Sequence, residues 1–401
     1  MNKQNIIIIG FALLAYLSAT VSSYLLFSQT SVGRTFIASK PPVSASSQGS
    51  SSTATHIDAN GAVVFDQSSP KTESCPTNGT LYSKEQKTWW EQHEPLAVMI
   101  ENHSDARPQS GLSYADVVYE AVAEGGITRF AAIFYCQDAP EVGPVRSARV
   151  YFIDFISEYG TYPLYTHVGG ANVEGDADAL GELTDFGWTG YNDLNQFSIG
   201  FPTFWRDYNR QGHDVATEHT MYSTTGKLWG FAKKDRNITN TTKAGQWDKN
   251  FQQYQFKDDA PATDRPTSQS IHLEFWTGDP NYYDDWAYDP KSNLYKRNTG
   301  GAPHIDRDNN KQLTAKNLIV LHMAESHADD GYLGNEHLLY KTIGTGKADV
   351  FMDGKHIAAT WKKASRTDRM MLYDTTGKEI AFDRGTLWFS VLPLTGVLEI
   401  K

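Results

Sequence analysis

Cysteine is nearly absent: the 401 residues include only Cys75 and Cys136. Two cysteines exclude a cysteine-only metal site and leave two readings open, one disulfide in an oxidising compartment or two free thiols. Basic charge is also short, with 36 Lys and Arg against 47 Asp and Glu and a formal net charge of −11. That balance argues against nonspecific nucleic-acid binding, which needs a basic footprint to displace counterions. There is no nucleophile elbow, P-loop or dinucleotide fingerprint, which removes several enzyme classes. His322, Glu325 and His327 in HMAESH do not follow the HExxH zinc spacing. Residues 306–310 (DRDNN) lack the glycine and closing Glu of a calcium loop. No metal ligands and no cofactor are assigned on these grounds.

Aromatic residues, by contrast, are abundant at 12%, with 21 Tyr and 10 Trp. They suit a β-heavy fold or an aromatic-lined groove. Residues 5–27 (NIIIIGFALLAYLSATVSSYLLF) are apolar, uncharged and long enough to span a hydrocarbon core. The segment is read as an uncleaved membrane anchor or, alternatively, a cleaved signal peptide ending near Ser18-Ala19-Thr20. No cysteine follows it closely, so a lipid on cysteine is not available there. Residues 44–55 (SASSQGSSSTAT) read as flexible linker. The organisation expected is an anchor or signal segment at 1–27, a linker at 28–74, an α/β domain at 75–240 and a β-rich domain at 247–401, with the Asn-, Thr- and Gly-rich run 237–246 as boundary.

Apolar runs at 96–100, 117–122 and 130–135 predict strands, and 164–168 a further one. The apolar spacing of 150–159 predicts an amphipathic helix, and 226–234 another helix. Beyond residue 252 the pattern turns to short strands, with Asp353-Gly354 between apolar runs as a hairpin signal. The class expected is α+β: a mixed α/β N-terminal domain and a smaller, mainly antiparallel β C-terminal domain.

Polar groups cluster where the first strands end. Arg129, Arg146 and Arg149 offer planar forks for phosphate or carboxylate, or pair with Glu120, Glu124 and Asp154 in a structural network. Glu120 and Glu124 suit acid–base work or salt bridges. His167 and His219 are the imidazoles able to serve as a base near neutral pH, with His103 and His213 behind them.

Taken together, PLAVMIENH, ARPQSGLSYADVVYEAVAEGGITRF, EVGPVRSARVYFID and HVGG resemble the YerB-type lipoprotein family. This is a bacterial family of paired N- and C-terminal domains of unknown function. Phe204-Trp205-Arg206-Asp207, His219 with Tyr222, and Thr360-Trp361-Lys362-Lys363 extend the resemblance across 90–393. It implies an extracytoplasmic, membrane-tethered protein, usually held by a lipid on cysteine, a pattern from which the apolar segment here departs. It carries over no catalytic residue. The matched positions Arg107, Glu120, Glu124, Arg129, Arg146, Arg149, His167 and Arg206 are the places to look.

The function expected is a single-pass, membrane-tethered cell-envelope protein that binds an anionic ligand or a protein partner. Catalytic roles fall to Glu120 and His167, and ligand binding to Arg107, Arg129, Arg146, Arg149, Arg206, Glu124 and His219. Partners expected are the membrane, through the N-terminal segment, and an envelope glycan or cell-wall protein, with no nucleic acid. The alternative is a metal-assisted enzyme acting on phosphate-linked envelope glycan.

Overall fold

A computed structural model describes residues 56–57, 63–241, 247–249, 251–332, 334 and 337–401. The apolar segment 5–27 and the Ser-rich run 44–55 lie outside these residues. Among the described residues no helix is long and apolar enough to cross a membrane.

Residues 63–74, expected as linker, are folded against the body. Phe65 is buried and packs edge-on against Trp89 at 5.5 Å, and the Val63 N–H bonds to Asp138. Cys75 and Cys136 form a disulfide, resolving the two readings of the thiols. Ser83 opens helix α1 (Lys84–Trp90) with a capping box, its hydroxyl accepting from Gln86 N–H while the Gln86 side chain returns to Ser83 N–H.

Unbroken apolar runs then make strands buried on both faces: β1 (Leu96–Glu101), β2 (Val117–Glu124) and β3 (Ile127–Phe134). Gly125 and Gly126, at φ +57° and +79°, supply the two left-handed residues of the hairpin between β2 and β3. Helix α2 (Val150–Ile156), β4 (Leu164–His167), α3 (Ala179–Asp185), β5 (Asp193–Asn195), α4 (Gln196–Ile199) and α5 (Thr225–Asp235) follow. Helix α2 is not amphipathic as expected: six of its seven residues are buried. Its outward side is covered by the 340–342 segment, where Tyr340 packs on Tyr151 at 4.8 Å and Thr342 bonds to Asp154.

The second half supplies β6 (Ser270–Glu274), β7 (Asp284–Asp289), β8 (Leu294–Thr299), β9 (Asn317–Met323), β10 (Gly344–Met352), β11 (Lys355–Lys363), β12 (Met371–Asp374), β13 (Leu387–Pro393) and β14 (Val397–Ile400). Asp353 and Gly354, both at positive φ, close the β10–β11 hairpin. Ten strands form one sheet in the order β12-β11-β10-β9-β13-β2-β3-β1-β4-β5. The segments 75–240 and 247–401 thus contribute five strands each to a single sheet, joined where β13 pairs in parallel with β2 from Leu387↔Val117 to Ser390↔Glu120. The antiparallel pattern expected of the second half holds for β6, β7, β8 and β14 and for the run β9-β10-β11-β12. Strand β13 departs from it, running parallel to both β9 and β2.

Alternation along β2 decides what each face of the large sheet meets. Tyr119 stacks on Phe155 of α2 at 4.9 Å, while Glu120 faces Trp388 of the neighbouring β13 and Arg297 of a second sheet that contains β6, β7, β8 and β14. The core is therefore layered, helix on one side and second sheet on the other. With short helices and many strands in several sheets, the class is α+β.

Candidate functional site

Strand β1 ends on a carboxylate. Glu101 is buried, and both its oxygens are engaged: Oε1 accepts from Arg146 Nε at 2.9 Å and Oε2 lies 2.7 Å from His219 Nδ1. Backbone pairing makes this convergence possible. The Arg146 N–H bonds to Met99 O on β1, and the Val145 N–H to Met221 O. Met221 in turn pairs with Arg206 in a two-residue ladder, so three chain segments lie side by side. The glutamate bond and its charge raise the His219 pKa above the usual imidazole value.

Arg146 and Arg206 consequently line one cleft of about 530 Å³, together with the Gly169-Gly170 turn, Phe197 and Glu218. Arg206 is steadied by Thr220 Oγ1 at 3.1 Å, and the Arg146 side chain remains 24% exposed. Phe197 forms part of the wall although the residue is 74% exposed. Gly169 lies beneath it at φ +58°, a conformation that favours glycine, and a Cβ there would lie 3.0 Å from the Phe197 ring.

The other expected residues stand behind this cleft or away from it. Arg129 and Arg149 share Glu124, with Arg129 Nη2 at 3.0 Å from one oxygen and Arg149 bonded to the other. Burial pushes the Glu124 carboxyl up, but the two guanidiniums outweigh burial and hold it well below the usual carboxylate range. Both arginines are buried and spend a second donor on backbone, Arg129 on Ser147 O and Arg149 on Ala148 O. They brace the 146–149 segment and do not line the cleft.

His167 is fully buried, with Nδ1 2.7 Å from Gly169 O and Nε2 2.7 Å from Asp193. Both ring nitrogens are occupied, so His167 holds the Gly169 turn in place and has no lone pair free for a substrate.

Glu120, expected as a base, is enclosed between the sheets. It accepts a bidentate pair from Arg297 at 2.8 and 2.9 Å, with Thr128 and Trp388 filling the remaining acceptor sites. Arg297 also bonds to Asp284 and to His304 Nδ1, and His304 Nε2 reaches Gln109. Gln109 then donates to Asn102, and Asn102 to Thr128, which closes a ring of hydrogen bonds. Burial drives Asp284 well above the usual carboxyl value, with the charge of Glu120 adding to it. Burial and the Arg297 charge push His304 well below the usual imidazole value. Arg107 sits at the edge of this ring, donating to Asn102 and across to Asn281 O at 2.8 Å. Neither Glu120 nor Arg107 opens onto the cleft.

Sequence reasoning missed Glu101 and Phe197. The signal for Glu101 was an acid terminating a fully apolar strand, and for Phe197 two phenylalanines flanking a glycine in QFSIGF, where Phe201 is also exposed.

Comparison with known proteins places these residues in a wider setting. Residues 80–239 match the model described as "Protein of unknown function (DUF3048) N-terminal domain", and 271–389 match that of the DUF3048 C-terminal domain. The chain is 28% identical over 306 residues to "Putative lipoprotein YerB" of Bacillus subtilis (strain 168), covering 75% of this chain and 82% of that protein. It is also similar in fold to the crystal structure of the YerB protein from Bacillus subtilis, with a TM-score of 0.65 and 24% identity, covering 82% of this chain and 100% of the other. The cleft residues all fall inside 80–239, whereas the Glu120–Arg297 pair ties one matched segment to the other.

Proposed function

Because the chain belongs to the DUF3048 family, we propose that it is an extracytoplasmic binding protein of the cell envelope, tethered to the membrane, that holds an anionic ligand between Arg146 and Arg206. One observation carries this reading: two guanidiniums from distant parts of the chain border one open cleft, and Arg146 commits only its Nε to a carboxylate. Arginine forks match phosphate and carboxylate geometry, and the neighbouring glycine turn admits close backbone approach. The exposed Phe197 ring supplies an apolar or stacking surface, which suits an anion carried on a larger organic or glycan body.

Tethering rests on the apolar run 5–27 and on the printed name of the Bacillus relative, a lipoprotein. In this chain the first cysteine, Cys75, is already paired with Cys136, so the single-pass apolar segment is the tether we propose. The second reading, a metal-assisted enzyme on phosphate-linked glycan, would have to do without Glu120 and His167 as bases, since both are fully bonded inside the fold.

Thermal-shift titration of the full chain with inorganic phosphate and with glycan phosphates tests the proposal. The expected outcome is a ligand-dependent rise in melting temperature that Arg146→Ala and Arg206→Ala each abolish. No shift with any of these anions, or a shift that survives both substitutions, would overturn it.

A further inference from the structure

His103, Asp105 and His219 each bring a metal-binding atom within 4.8 Å of the other two. We propose that these three residues bind a divalent ion of the zinc class, an inference that goes beyond anion binding in the cleft and does not depend on it. Two imidazoles and one carboxylate suit a borderline cation, unlike the all-oxygen shells of calcium and magnesium. Three protein ligands would leave a coordination position open, as in catalytic zinc sites.

The surroundings of His219 are those of a metal-binding histidine. Its Nδ1–H donates to Glu101 Oε2 at 2.7 Å, which fixes the tautomer and leaves the Nε2 lone pair available. A carboxylate behind the imidazole is the usual device for orienting a histidine ligand and raising its basicity. Glu101 is itself held by Arg146, so the support is rigid. Of the other two ligands, His103 already accepts the Asp105 N–H on Nδ1 at 3.2 Å, which leaves its Nε2 for an ion. The His103 ring lies over His219 with centroids 4.7 Å apart and a 17° tilt, and the side chains of His103 and Asp105 are 30% and 58% exposed. Near-parallel rings cannot both aim at one ion, so His103 must turn from the stack, and its exposure leaves room for that.

Other histidines nearby in chemistry are already committed. His322 and His356 each place Nε2 on Asp349, at 2.7 and 2.6 Å, and His167 and His304 use both ring nitrogens. The second group with suitable spacing, Cys75, Asp116 and Cys136, is closed by the disulfide.

Isothermal titration of the chelator-stripped full chain with Zn²⁺ alone tests the site. The expected result is binding that weakens at least about tenfold in His103→Ala and in Asp105→Ala, the scale on which even outer-shell changes act. Both side chains are partly exposed, and melting in the absence of zinc checks that the variants fold. Cobalt(II) absorption by the unsubstituted chain is a readout that needs no variant, and visible d–d bands are expected. Absence of zinc binding, absence of the cobalt bands, or unchanged affinity in both variants would overturn the proposal.

Discussion

The ring around Glu120 allows a sharp prediction about which of its members the fold cannot lose. Among the described residues Arg297 is the only cation bonded to Glu120 and Asp284, and all three side chains are fully buried. Arg297→Met would leave two carboxyl groups in an apolar gap with no cation, so both would have to be neutral at pH 7. Protonating an ordinary glutamate at that pH costs about 3.5 kcal/mol, from roughly 1.4 kcal/mol per pH unit. That agrees with the roughly 3–5 kcal/mol lost when one partner of a buried ion pair is removed.

Glu120→Gln should cost less. Losing the Glu120 charge removes one of the causes that raise the Asp284 carboxyl, so Asp284 is the carboxylate left to neutralise Arg297. The loss is then a charge-assisted hydrogen bond, about 1–2 kcal/mol. For the unit Thr53–Lys401, an unfolding entropy of about 2.1 cal/mol/K per residue gives about 0.7 kcal/mol/K. Arg297→Met should lower the melting temperature by about 5 °C and Glu120→Gln by about 2 °C. The sign with pH follows from linkage. A carboxyl whose folded pKa is raised loses stability as pH rises through the window between its unfolded and folded values. The gap between the two variants should therefore narrow when melting is repeated at pH 5. Equal destabilisation at pH 7, or a gap that widens at pH 5, would refute the reasoning.

Reducing the disulfide, or Cys75→Ser, opens a loop with a sequence separation of 61 and should cost about 4 kcal/mol, read by urea denaturation with and without reductant. His93 is buried against Trp229 at 4.0 Å, and burial lowers its pKa to about 3. A depressed histidine stabilises above its unfolded value near 6.5 and loses that contribution as pH falls toward 3. His93→Gln should therefore flatten the decline in stability between pH 6.5 and 4, which melting curves across that range would show. Arg146→Ala should leave the melting temperature of the free protein within about 2 °C, because the Arg146 side chain is part-exposed and its partner Glu101 keeps His219.

Much of the architecture was legible because the core strands are apolar runs long enough to need burial on both faces. Residues 96–100 and 117–122 show this directly, and the Asp353-Gly354 turn punctuates the later strands by backbone conformation alone. The family resemblance was also present in the sequence, since it rests on residue identities. The charged residues were a different matter. Sequence placed Glu120, Arg129, Arg146, Arg149 and His167 in one neighbourhood, but proximity along the chain does not say which face of a strand a side chain takes.

Tertiary structure decided their roles through pairings between distant segments. Glu120 is neutralised by Arg297, a residue 177 positions away, because β13 enters the sheet beside β2 and a second sheet covers that face. Arg129 and Arg149 are satisfied by Glu124 across the β2–β3 hairpin. Arg146 meets Arg206 and His219 only because Val145, Met221 and Arg206 lie on adjacent chain segments. The sequence by itself determined which stretches must be buried, where the chain turns and which family it resembles, since these follow from local composition. Which arginines line the cleft and which are buried in ion pairs was decided by long-range packing, because a buried charge takes whatever opposite charge the fold brings to it.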